Sequence, residues 1–187
     1  MKKRIIVGAS GASGAPLTIE VLKLLRAAGC ETHLIVTEGA LLTLRQETEL
    51  TEEALYDLAD HCYSPRDIGA APASGSFLTD GMIVVPCSMK TLAGIQSGYC
   101  ENLLLRAADV TIKEQRKLVL VTRESPFSPI HLRNMYELSQ MGVVIQPPMV
   151  NYYSRPESLE DLTRQIACRI LDRFGIDCGE LRRWEGM

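Results

Sequence analysis

A run of small residues bearing two hydroxyls follows the first apolar stretch of the chain, Arg4-Ile5-Ile6-Val7-Gly8-Ala9-Ser10-Gly11-Ala12-Ser13-Gly14. A helical pattern begins directly after it. Small side chains let the backbone approach a ligand closely, and a helix start offers N–H groups and partial positive charge to a phosphate. The spacing Gly8-x-x-Gly11-x-x-Gly14 departs from the G-x-G-x-x-G dinucleotide fingerprint, and there is no G-K-[ST] ending of a P-loop. A tight strand-to-helix turn without a ligand is the plain alternative, but Ser10 and Ser13 exceed what a turn requires. A second loop repeats the logic. Val84-Val85-Pro86 runs into Cys87-Ser88-Met89-Lys90-Thr91, placing the Ser88 and Thr91 hydroxyls and the Lys90 ammonium where another helix begins. A lysine there is unfavourable unless an anion compensates it. A solvated Lys90 and an ordinary N-cap at Ser88 are the plain alternative, but two such loops after strands of one sheet favour a shared anionic ligand over two coincidences.

Cationic and carboxylate candidates lie further along. Arg106 and Lys113 are seven residues apart and share a helix face, where a surface ion-pair network is the plain reading. Arg123-Glu124 directly follows an apolar run, at the carboxyl end of a strand, where ligand sites fall in such sheets. Glu47 and Glu49 are a solvated face or a source of one acid–base group. Tyr152-Tyr153-Ser154-Arg155-Pro156 is a loop whose phenol and guanidinium could bind phosphate, or a packed turn. Arg169 sits among Ile166, Ala167, Ile170 and Leu171 and needs a partner if buried. Cys87 has no neighbouring histidine and reads as a packed thiol.

These residues need a frame. Five apolar, β-branched runs, Arg4–Gly8, Thr32–Val36, Met82–Pro86, Leu118–Thr122 and Val143–Ile145, read as strands buried on both faces. Helical patterns over Pro16–Ala28, Glu38–Gln46, Thr51–His61, Asn102–Arg116, Ile130–Met141 and Leu159–Phe174 alternate with them. The last opens with a capping box of Ser158 and Asp161, and Leu162, Ile166 and Ile170 form its inward stripe. The alternation predicts a layered α/β domain with right-handed crossovers, and Ser64–Ser76 reads as an ordered surface loop within it.

The bulk numbers fit one domain over residues 1–187, with 46% hydrophobic residues. A net charge of −3 argues against nucleic-acid binding. No segment approaches the length of a membrane span, and the chain reads as cytoplasmic. The six cysteines form no C-x-x-C pair and read as reduced, mostly buried thiols. His33, His61 and His131 are far apart in sequence and suggest no metal site.

Taken together, the motifs resemble those of the UbiX-like flavin prenyltransferases along nearly the whole chain. They are Gly11-Ala12-Ser13-Gly14, Glu47-Thr48-Glu49, Ala73-Ser74-Gly75-Ser76-Phe77, Pro86-Cys87-Ser88-Met89-Lys90-Thr91-Leu92, Arg106-Ala107-Ala108-Asp109-Val110, Lys113-Glu114, Arg123-Glu124-Ser125-Pro126 and Tyr153-Ser154-Arg155-Pro156. The resemblance implies a flavodoxin-like, Rossmann-like three-layer α/β/α fold with a parallel sheet. It implies transfer of a dimethylallyl group from dimethylallyl phosphate to N5 and C6 of reduced FMN, and delivery of the prenylated FMN to a UbiD-type decarboxylase. Gly11, Ala12, Ser13, Thr37, Ser88, Met89, Lys90, Thr91 and Arg123 would then contact the flavin nucleotide. Arg106, Lys113, Arg123, Glu124, Tyr153 and Arg169 would surround the prenyl phosphate, with Ser13, Glu47 and Glu124 as the catalytic set. No metal is implied, and no D-D-x-x-D motif for a magnesium-held diphosphate is present. Thr37 stands where the family often has serine.

A finer resemblance, in Thr79–Lys90 and the terminal Arg182-Arg183-Trp184-Glu185-Gly186, is to the B subunits of phenolic-acid decarboxylase systems. Family members form dodecamers with sites at subunit interfaces, so a homododecamer is implied. A flavin-dependent cysteine decarboxylase of related fold, or a non-catalytic flavin carrier, is the alternative. The former leaves Arg106, Lys113, Tyr153 and Arg169 unexplained, and the latter needs neither Glu47 nor Arg169.

Overall fold

The computed structural model describes residues 2–179 and 181–186. Its parallel strands are β1 (Arg4–Ala9), β2 (Glu31–Val36), β3 (His61–Tyr63), β4 (Gly81–Cys87), β5 (Lys117–Thr122) and β6 (Val144–Ile145). The helices are α1 (Ala15–Ala27), α2 (Glu38–Glu47), α3 (Glu52–Tyr56), α4 (Met89–Gln96), α5 (Leu103–Lys113), α6 (Pro129–Gln140) and α7 (Leu159–Leu171).

Alternating strand residues feed two separate cores, which is why the strand runs are almost continuously apolar. Ile5, Val7, Leu34, Val36, Ile83, Val85, Val119 and Val121 pack beneath α1 and α7. Ile6, Ile35, Met82, Val84, Leu118 and Leu120 face the opposite way, against α4, α5 and α6. The result is the expected three-layer α/β/α sandwich. Strand order is β3-β2-β1-β4-β5-β6, the Rossmann order. Without the short edge strand β3, the five strands legible in the sequence stand in the flavodoxin order. Chain direction across the sheet reverses between β1 and β4, so the crevice for a ligand opens beyond their carboxyl ends.

Four local expectations are corrected. The helix expected over Thr51–His61 ends at Tyr56, and His61 opens the edge strand β3. Its pairing with β2 is non-local: Asp60 Oδ2 accepts from Thr32 N and Oγ1 at 2.8 and 2.9 Å. At α7, Ser158 Oγ accepts from Asp161 N at 3.1 Å, but the Asp161 carboxylate accepts from Glu157 N instead of closing a box. The reciprocal box is at α6, where Ser128 and His131 cap each other. The inward face of α7 is Ala167, Cys168, Ile170 and Leu171, while Leu162 and Ile166 are half-buried. Cys30, Cys87 and Cys168 are buried, but Cys62 is exposed.

The histidines are not all apart. His33 and His61 are cross-strand partners with rings stacked at 4.6 Å, and with Glu31 they bring three potential metal ligands within 4.8 Å of one another. The cluster is already internally satisfied. Arg4 holds both Glu31 oxygens at 2.9 and 3.2 Å, and the His33 nitrogens meet Glu31 and Tyr63, each at 2.9 Å. The cluster stacks its two rings 17° from parallel. It ties β3 to β2.

Candidate active site at the carboxyl edge of the sheet

Ser10 joins the two small-residue loops. Its hydroxyl donates to Pro86 O at 3.0 Å and accepts from Ser88 N at 2.8 Å, and it is 1% exposed. That hydroxyl is consumed by the fold, while Ser13, an exposed residue, carries the other hydroxyl of the first loop. Gly11 is glycine for a packing reason. A Cβ there would lie 3.0 Å from the Cα of Gly39, so a side chain would have to push the backbone at the start of α2 back. Thr37 caps α2, accepting from Ala40 N at 3.3 Å and donating to Ala9 O at 3.2 Å. Ser88 caps α4, accepting from Thr91 N at 3.3 Å and donating to Thr91 Oγ1 at 3.1 Å. Lys90 is exposed on the first turn of α4. The starts of α1, α2 and α4 thus converge on the crevice between β1 and β4.

The α1 start is already filled. Glu47, the last residue of α2, accepts from Gly14 N at 2.9 Å and Ala15 N at 2.8 Å. Burial pushes its carboxyl up, but these N–H groups, the Ser13 hydroxyl and the Arg123 charge hold it below the ordinary carboxylate range. The anion expected at this helix start therefore comes from the chain itself. Glu47 is a carboxylate at neutral pH, with Ser13 on one side and the field of Arg123 on the other. Arg123 stands beyond β5, its N–H donating to Cys87 O at 3.1 Å, and Glu124 turns back to accept from Ser125 N at 3.0 Å. Burial raises the Cys87 thiol far above its usual range, consistent with a packed thiol.

The remaining candidates lie elsewhere on the protomer. Arg106, on α5, pairs with Asp109 at 2.6 Å and donates to Ala73 O at 3.2 Å. Lys113 pairs with the adjacent Glu114. The Ala73–Phe77 motif is fastened to this helix by Arg106 and to the connection after it by Arg116, which donates to Gly75 O at 2.6 Å and Phe77 O at 2.8 Å. Lys113 precedes the amino end of β5 and Arg123 follows its carboxyl end, so a strand of roughly 20 Å separates them. One protomer does not bring them to one phosphate.

Its apolar neighbours in sequence ask a partner of Arg169 if it is buried. It is instead exposed on α7 and pairs with Asp172 at 2.5 Å. It lines a cleft of about 320 Å³ with Arg173, Gln146 and Asn151, between β6 and α7. Gln146 Oε1, Asn151 Oδ1 and Arg173 Nε are buried there without hydrogen-bond partners. Tyr153 is exposed and meets Trp184 edge-on at 5.7 Å. Sequence reasoning missed this amide-and-arginine cleft, because no spacing pattern links the loop after β6 to the middle of α7.

The residues at the crevice suit a flavin nucleotide: hydroxyls at Ser13, Thr37, Ser88 and Thr91, a guanidinium at Arg123, and helix starts for a phosphate. Comparison with known proteins agrees. Residues 1–170 match the Flavoprotein family model. A probable UbiX-like flavin prenyltransferase of Sedimentibacter hydroxybenzoicus is 52% identical over 184 residues, 98% of this chain and 97% of that protein. A structure of AnUbiX (PadA1) in complex with FMN and dimethylallyl pyrophosphate superposes with a TM-score of 0.98 at 49% identity, covering 100% of both chains. A dodecameric FMN-dependent UbiX-like decarboxylase from Escherichia coli O157:H7 gives a TM-score of 0.96 at 50% identity, covering 98% of this chain and 100% of the other. Among the described residues, no helix is long and apolar enough to cross a membrane. With this extent of identity and a shared fold, the chain belongs to the flavoprotein family, as a UbiX-like flavin prenyltransferase.

Proposed function

We propose that this protein, acting as one flavoprotein domain, transfers a dimethylallyl group from its phosphate ester to reduced FMN and makes prenylated FMN for a UbiD-type decarboxylase. The observation that carries the reading is the Glu47 carboxylate locked on the α1 start beside Ser13, with Arg123 in the same crevice. Because Glu47 already occupies that helix start, the FMN phosphate is assigned to the starts of α2 and α4, near Thr37 and Ser88–Thr91, with Arg123 beside it. Reduced FMN supplies the nucleophilic N5 and C6 that take the two new carbon bonds.

The protein's own work is electrostatic. As the allylic C–O bond breaks, the bonding pair leaves with the phosphate, and Lys113, Tyr153, Arg169 and Arg106 meet the growing negative charge. Glu47, ionised and positioned, would take the proton that N5 loses on alkylation and return it through Ser13 to the donor's double bond, so that C6 can bond the other end of that double bond. The proton then lost from C6 goes back to Glu47, and the net result is a gain of C5H8 with one proton leaving with the phosphate. Glu124 completes the set beside Arg123. Since Lys113 and Arg123 stand at opposite ends of β5, the phosphate pocket is assembled from more than one copy, as a homododecamer would allow. The finer resemblance supports service to a phenolic-acid decarboxylase from the cytoplasm. The donor is assigned as the monophosphate; the related AnUbiX structure contains the pyrophosphate.

Anaerobic incubation with reduced FMN and dimethylallyl phosphate, then mass spectrometry of released flavin, tests this. A gain of one C5H8 unit is expected. Unmodified flavin with binding intact would overturn the reading.

A further inference from the structure

Asp172, just past the end of α7, is shared by two arginines. Arg183 meets it with both terminal nitrogens, Nη2 to Oδ1 at 2.6 Å and Nη1 to Oδ2 at 3.3 Å. Arg169 reaches Oδ2 at 2.5 Å. The hydrogen bond from Arg183 is the first influence holding the Asp172 carboxyl below its ordinary range; burial opposes it, and Arg169 adds less. Arg183 belongs to the Arg182-Arg183-Trp184 segment beyond α7, to which the reaction assigns no role.

That segment has no regular secondary structure, yet it is anchored. Arg182 N donates to the buried Gln165 Oε1 at 2.9 Å. The Arg182 guanidinium donates to Ser154 O at 2.7 Å and to Asp161 at 3.0 and 3.2 Å. The anchored backbone delivers Arg183 to Asp172.

A carboxylate with a single cationic partner retains it, because departure of that partner strands a partly buried charge. A carboxylate with two partners can release one. Asp172 holds Arg169 by Nη1, so turning that nitrogen onto a donor phosphate means letting the carboxylate go, and Arg183 is the group left to satisfy Asp172. We propose that Arg183 is a positioning residue for donor binding: by satisfying Asp172 it frees Arg169 for the phosphate of the prenyl donor. This rests on the assignment of Arg169 to that phosphate.

Steady-state prenylation with dimethylallyl phosphate and reduced FMN tests it, with FMN affinity and thermal melting as controls. Arg183→Ala should raise the donor KM about two- to fivefold, the scale of an exposed ion pair, with kcat and FMN affinity unchanged. Arg183→Ala combined with Asp172→Asn should return KM to the wild-type value or below, because nothing then competes for Arg169. Were the segment only an anchor, Asp172→Asn would itself raise KM and the double variant would stay impaired, which overturns the proposal. Arg169→Ala separates the two levels. If it raises KM while Arg183→Ala does not, the Arg183 role fails; if it leaves KM unchanged, the phosphate assignment fails instead.

Discussion

Glu47 accepts the backbone N–H of Ala15 at 2.8 Å, so the end of α2 caps the start of α1 across 32 residues of sequence. The same carboxylate also takes Gly14 N, so one side chain both closes a helix end and sits where proton transfer is assigned. Its structural and chemical duties can be separated by substitution.

Glu47→Gln keeps an oxygen that can accept from Gly14 and Ala15 but removes the charge. FMN titration should give near wild-type affinity, while prenylation slows by ~10²–10⁴-fold, the usual cost of losing a positioned acid or base. Unchanged turnover would remove Glu47 from the mechanism.

The pH dependence of stability carries a sign. Glu47 is held below the ordinary glutamate value of 4.5 in the folded protein. Its contribution is therefore present above that value and is lost as pH falls through the depressed folded value. Acid unfolding of wild type against Glu47→Gln should show a wild-type advantage near neutrality that closes on acidification. An advantage that instead grew below pH 4.5 would contradict the charged cap.

Gly11→Ala would place a methyl 3.0 Å from the Gly39 Cα, against backbone that cannot swing away. Overpacking of this kind costs about 1–3 kcal/mol. Because it parts the two loops proposed to hold FMN, flavin affinity measured by fluorescence quenching should fall by about tenfold or more. Undiminished affinity would show that this contact is not part of the cradle.

Ser10→Ala removes the hydroxyl that joins Pro86 O and Ser88 N, leaving a buried N–H without its acceptor. Chemical denaturation should show a loss of about 1–3 kcal/mol. A neutral substitution would mean that water replaces the bridge.

Lys113→Ala and Arg123→Ala should each lose most prenylation alone, since both cations are assigned to the donor phosphate. Mixed oligomers refolded or co-expressed from the two should regain part of it, because some interfaces then pair an intact Lys113 with an intact Arg123 from different copies. Absence of complementation would place both groups in separate duties.

The apolar runs of β1, β2, β4, β5 and β6 declared themselves by sequence, because strands buried on both faces admit few polar residues. The caps at Ser88 and Ser158 were equally local, each accepting from an N–H three residues ahead, whereas Thr37 and Asn102 are shown as caps only by the structure. β3 was hidden because three residues, two of them exposed, have no periodicity to read; their order comes from Thr32, Asp60 and the His33–His61 pair.

The loop residues at the candidate site were nameable from composition and order, since hydroxyls and glycines beside strand ends have few other uses. Their relations were not. That Ser10 is spent on Pro86 and Ser88, that Glu47 fills the α1 start, and that Lys113 and Arg123 stand at opposite ends of β5 all depend on which strands become neighbours. Sequence by itself determined the layers, the family and the residue types for binding a phosphate ester of a flavin. Only the tertiary structure decided which of those groups are free, because hydrogen-bond partners and charge separations are set by non-local packing of the sheet, and local pattern carries no record of it.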